Sequence, residues 1–86
     1  MLMLHAATPM DIETWQAKAA DGDGQSQWQL AQSYENGDGV GRDVAKAMVW
    51  LHSAAESGVA DAQYTLAEKY FKGELGLQRN ARQAVG

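Results

Sequence analysis

The stretch from Ser26 to Gln63, SQWQLAQSYENGDGVGRDVAKAMVWLHSAAESGVADAQ, decides the fold, because much of it recurs in the residues that follow it. A shift of thirty-six superposes Gly22 on Gly58, Gln27 on Gln63, Leu30 on Leu66, Ala31 on Ala67, Tyr34 on Tyr70 and Gly37 on Gly73. Trp28 lands on another aromatic, Tyr64. One inserted residue after Gly73 lengthens the offset, so that Gly39, Val40, Arg42, Asp43 and Ala47 match Gly76, Leu77, Arg79, Asn80 and Ala84. Run backwards, the same shift places Ile12, Trp15 and Ala19 under Met48, Leu51 and Ala55. Self-similarity at a period of this length marks an array of stacked supersecondary units.

Within a unit the apolar spacing is helical. Ala47, Trp50, Leu51, Ala54 and Ala55 fall at i, i+3, i+4, i+7 and i+8, one face of a 3.6-residue helix. Asp43 is placed as its N-cap and Gly58 at the left-handed turn that ends it. The preceding helix is predicted from about Gln25 to Asn36, with Ser26, Leu30, Ala31 and Tyr34 inward and Gly37 closing it. Its second copy, about Ala60 to Lys72, turns Ala62, Leu66, Ala67 and Tyr70 inward. At the start of the chain Thr8-Pro9 reads as cap and first helical residue, leading a helix that buries Ile12, Trp15 and Ala19 and stops at Gly22. Nothing alternates with period two for long enough to make a strand. The expected class is all-α.

These residues resemble the Sel-one-like repeat (SLR) family, relatives of the tetratricopeptide repeats. Ser26–Gln63 looks like one complete unit, with a Leu-Ala-x-x-Tyr helix, a Gly-x-Gly-Val loop, Asp before the second helix, Lys-Ala-x-x-Trp and Ala-Ala-x-x-Gly; YTLAEKYFKGELGLQRNARQA repeats much of it. A tetratricopeptide unit has a period of about 34 residues, so the longer period and the glycine loop NGDGVGRD favour the SLR branch. The resemblance implies a short right-handed alpha-alpha solenoid of antiparallel helix pairs with about two repeats. The expected division is a leading helix at 9–21, a full repeat at 22–57 and a second, truncated repeat at 58–86, all in a single repeat domain spanning 1–86. Ser26 stands where the family usually has Ala, and GELGLQRN lacks the Gly-x-Gly spacing. The last helix would begin near Ala81 and falls short of the dozen or so residues a helix usually has. Leu66, Ala67 and Tyr70 are therefore expected to lack part of their cover.

Composition closes other routes. The 86 residues hold no Cys, which excludes disulfides, thiolate metal sites and a cysteine nucleophile. Seven Lys plus Arg against eleven Asp plus Glu give a net charge of −4, which argues against a nucleic-acid partner. No apolar run approaches the ~18 residues of a membrane span, so no membrane partner is expected. MLMLHAATP has no basic n-region, and the expected location is cytoplasmic, with a periplasmic or secreted one as the alternative. Asp21-Gly22-Asp23-Gly24 fails the calcium-loop pattern, because Ser26 and Gln32 stand where Gly and Glu are needed, and it reads as an inter-repeat turn. Gly37-Asp38-Gly39-Val40-Gly41 follows a helix and lacks the Lys-Ser/Thr of a phosphate loop. His5 and His52 are not placed near a nucleophile, and Ser57 lies at a helix end. No enzyme activity, cofactor or metal is expected.

The candidate binding residues form a second stripe on the first helix of each unit. Gln25, Trp28, Gln32 and Glu35, then Asp61, Tyr64, Glu68 and Phe71, fall at i, i+3, i+7 and i+10, with Lys72 beside them. In tetratricopeptide-like solenoids the corresponding face lines the concave groove, so the resemblance implies a partner-binding groove here. Aromatics with a polar handle are frequent interface anchors. The competing reading is that Trp28 and Tyr64 pack between adjacent first helices and support the core. The implied function is a non-catalytic adaptor, of a kind mostly bacterial in small proteins, that takes a protein or peptide partner. The alternative is a self-associating piece of a longer repeat protein, its face around Leu66, Tyr70 and Leu77 covered by another chain. Charge is uneven as well: residues 1–45 carry −5 and residues 46–86 carry +1, which suits head-to-tail contact.

Overall fold

The computed structural model describes residues 7–73. They form four helices in chain order, α1 (Pro9–Ala20), α2 (Gly24–Asn36), α3 (Val44–Glu56) and α4 (Ala60–Lys72). Each packs on the next, so the chain is an antiparallel zigzag, a short all-α solenoid. Among the described residues there is no strand, and no helix is long and apolar enough to cross a membrane.

Local chemistry sets the boundaries. Thr8 and Asp11 form a capping box at the start of α1, the Thr8 hydroxyl accepting from the Asp11 amide at 3.1 Å and the Asp11 carboxylate from the Thr8 amide at 3.0 Å. Asp43 accepts from the Lys46 amide at 3.0 Å and starts α3 as predicted. Asp23 caps α2, and donation from the Ser26 hydroxyl, then from the Ser26 amide, holds its carboxyl below the usual range. Both residues of the suspected calcium turn are thus helix-end residues, Asp21 closing α1 and Asp23 opening α2. Gly22 and Gly58, at equivalent places, both have φ of +94°. Gly39, at φ +82°, sits so close to Ala7 that a Cβ would approach its Cβ and carbonyl oxygen to 2.9 Å, so the glycine loop lies against the start of α1.

Two apolar clusters follow from the period. Ile12, Ala19, Leu30, Tyr34 and Ala47 gather between α1, α2 and α3, with Trp15 and Trp50 against them. Ala31, Leu51, Ala54 and Ala62 gather between α2, α3 and α4, with Trp28, Trp50 and Leu66 alongside. Alanines let the helix axes approach while Leu, Tyr and Trp fill the remaining space.

Polar contacts repeat along with the apolar ones. Gln27, buried, donates from Nε2 to the Ala19 carbonyl at 3.1 Å and accepts at Oε1 from the Ser57 hydroxyl at 2.9 Å. Gln63 donates to the Ala55 carbonyl at 3.1 Å, the same bond one unit later. Likewise Gln16 donates to the Tyr34 hydroxyl at 3.3 Å, while His52 Nε2 lies 3.3 Å from the Tyr70 hydroxyl, with the rings edge to face. Each helix that opens a unit is sewn to the helix before it by the same two positions.

The reduced cover expected on α4 is seen at Leu66, Ala67 and Tyr70, although Ala67 is exposed rather than inward. Ala67 is exposed and Leu66 and Tyr70 are half-buried, whereas Ala31, Leu30 and Tyr34 are buried. Ala31 is covered by α3, and no described element follows α4 to play that part. The predicted helix from Ala81, together with Leu77, lies outside the described residues.

Candidate functional site

The candidate stripe lies on the α2 and α4 faces. Gln25, Asp61, Tyr64, Phe71 and Lys72 are exposed, and Trp28, Gln32, Glu35 and Glu68 are half-buried. Tyr64 is 70% exposed and Phe71 57%, on a helix that turns Ala62 to α3. Two of them are one helical heptad apart, so they project from the same side of α4.

Trp28 differs from Tyr64 although both occupy the same place in the repeat. Part of its ring packs against the Ala31, Leu51, Ala54 and Ala62 cluster, and only the remainder faces outward. Trp28 therefore contributes to the cluster that α2, α3 and α4 share, while Tyr64 is a member of neither apolar cluster.

Three of the four charged members of the stripe are paired. Glu35 Oε2 lies 2.8 Å from Lys69 Nζ, which ties α2 to α4. Glu68 and Lys72 approach to 3.5 Å one turn apart on α4, an exposed pair of small energetic weight. Asp61 remains on the rim in the first turn of α4, where a carboxylate favours the helix N-terminus.

Lys69 itself was absent from the sequence-derived stripe. It is buried, with 7% of its side chain exposed against 33% for Glu35. The signal was available: Lys69 lies two helical turns after Ala62, on the inward face, where its counterpart Ser33 is also buried. A lysine there can keep its charge only by meeting a carboxylate, and Glu35 is within reach.

His52 meets Tyr70, and Ser57 meets Gln27. Among the described residues no three His, Asp or Glu side chains come together to hold a metal.

With this geometry in view the comparisons decide the family. The sequence model of the Sel1 repeat matches residues 24–59 and 60–86. The chain belongs to the Sel1 repeat family. It superposes on a Sel1 repeat protein from Oxalobacter formigenes with a TM-score of 0.81 at 32% identity, over 86% of this chain and 55% of that one. It superposes also on c5321, a protective antigen present in uropathogenic Escherichia coli strains that displays an SLR fold, with a TM-score of 0.77 at 35% identity, over 86% of this chain and 16% of that one. The chain thus spans about half of one solved relative and about a sixth of the other. No curated protein matches it. Sel1 repeat proteins commonly mediate protein–protein interaction and are generally non-catalytic scaffolds.

Proposed function

We propose that this Sel1 repeat chain is a non-catalytic adaptor that takes a peptide or helix of a partner protein along the concave face of α2 and α4. The observation that carries this reading is the exposure of Tyr64 and Phe71, in line with the half-buried Trp28. Large aromatic side chains left in water on one face are what an interface core needs, and the polar residues around them supply the rim. The Glu35–Lys69 pair holds α2 and α4 at a fixed spacing, so the anchors are preorganised.

The test uses peptides selected on the purified chain from a random display library and measured again on Tyr64→Ala and Phe71→Ala. Loss of about tenfold or more in either variant is expected for an anchor. Unchanged affinity in both, with helical content intact, would count against the groove. Tyr64 is the sharper probe than Trp28, because truncating Trp28 also opens the core.

A second reading rests on Ala67. Its exposure, beside the half-buried Leu66 and Tyr70, leaves a small-residue face on α4 like the one α3 covers on α2. A second copy could cover it. Sedimentation equilibrium should then show dimers that Ala67→Glu abolishes; a monomer at millimolar concentration removes this reading.

A further inference from the structure

A second surface lies between α1 and α3 and shares no residue with the candidate groove. Gln16 and Ala20 of α1, Tyr34 of α2, and Lys46, Val49 and Trp50 of α3 line an open depression. Tyr34 forms its floor, fixed by the hydrogen bond from Gln16 at 3.3 Å. Trp50 is half-buried, packs against both apolar clusters and presents its remaining surface here. Val49 is 62% exposed in the middle of α3 and belongs to neither cluster. A β-branched residue at such a place lowers helix propensity and contributes no core packing.

Charge gives the depression a preference. Lys46 is the one charged residue in its lining, with its ammonium 5.5 Å from the centre of the Tyr34 ring. Among the described residues no carboxylate pairs with it. At the equivalent place in the next unit Tyr70 meets His52, and the counterpart of Ala20 is the exposed acid Glu56.

We propose that this depression is a separate docking surface, which takes one aliphatic or aromatic side chain from an acidic segment of a partner protein while a neighbouring carboxylate of that segment meets Lys46. The apolar wall of Val49, Trp50 and Ala20 supplies the burial, and the unpaired ammonium selects the sign of the flanking charge.

The experiment titrates the isotope-labelled chain with acetyl-Glu-Ile-Glu-amide and with acetyl-Lys-Ile-Lys-amide, read by amide and indole shifts in NMR spectra. The acidic peptide should shift Ala20, Lys46, Val49 and the Trp50 indole in a saturable way, and the basic one should not. Lys46→Glu places an acid three residues after the Asp43 cap, which suits a helix start, so the variant keeps its fold. It should weaken the acidic peptide about threefold, the size an exposed ion pair supports, and favour the basic one. Val49→Ser should weaken both variants' preferred peptide. Equal response to the two peptides, shifts confined to Tyr64 and Phe71, or shifts that follow protein concentration without peptide would each overturn the proposal. The last of these would assign the depression to a second copy.

Discussion

Helices α2 and α4 carry the same sequence pattern and have different surroundings. In α2, Leu30 is 0% exposed and Ala31 4%, because α1 and α3 pack on its two sides and Ala62 of α4 joins the cluster around Ala31. In α4, Leu66 is half-buried and Ala67 exposed, because α3 is its main described neighbour. Burial in a repeat array belongs to the position in the stack rather than to the residue, as expected when each unit is stabilised by its neighbours. The same substitution made in both helices separates the two contributions.

The largest difference is expected from Leu30→Ala against Leu66→Ala. Truncating a fully buried leucine costs about 2–5 kcal/mol, enough to unfold much of so small a domain. Leu66→Ala should cost less than half as much, with urea unfolding as the measurement. A similar loss in both would mean that α4 is enclosed as completely as α2. Next comes the opposite change. Ala31→Leu should destabilise by about 1–3 kcal/mol through overpacking, whereas Ala67→Leu should leave the midpoint unchanged.

Gln27→Ala and Gln63→Ala test the repeated hydrogen bond. Gln27 is buried and serves both Ala19 and Ser57, so its loss should cost about 1–3 kcal/mol. Gln63 is exposed and water can replace it at Ala55, so its loss should stay within about 0.5 kcal/mol. The smallest effect concerns the helix starts. Asp23 caps α2, while α4 begins at Val59 without a side-chain cap. The folded Asp23 carboxyl is held below the usual carboxylate range, so its contribution is present above that range and fades as pH falls through the lowered value. Asp23→Ser keeps an acceptor without the titration, and thermal melts between about pH 5 and 2 should fall less steeply than for the parent chain.

The helices were legible because each carries its own punctuation. Thr8-Pro9, Asp43, Gly37 and Gly58 mark ends that the structure places within a residue or so of expectation. The period of thirty-six showed which helices are equivalent, and the resemblance supplied how they stack. What a single pattern could not convey was the inequality of equivalent residues. Trp28 and Tyr64 look alike in the alignment of the two units, yet only Trp28 has a following helix against which to pack. Lys69 was missed for a related reason: a charged residue on an inward face is explained only by a carboxylate on another helix, and pattern reading within one helix does not see it. The depression beside Lys46 draws on three helices and has no local signature at all.

The contact between Glu35 and Lys69 joins positions that do not correspond. One period after Glu35 stands Phe71, and one period before Lys69 stands Ser33. A tandem duplication of the first unit would therefore set Ser33 opposite Glu35 and strand the carboxylate without its cation. Lengthening the array by copying is not neutral here: the two modules carry a lock and key that record which comes first, and any rearrangement of their order has to rebuild that junction before it can fold as well as the parent.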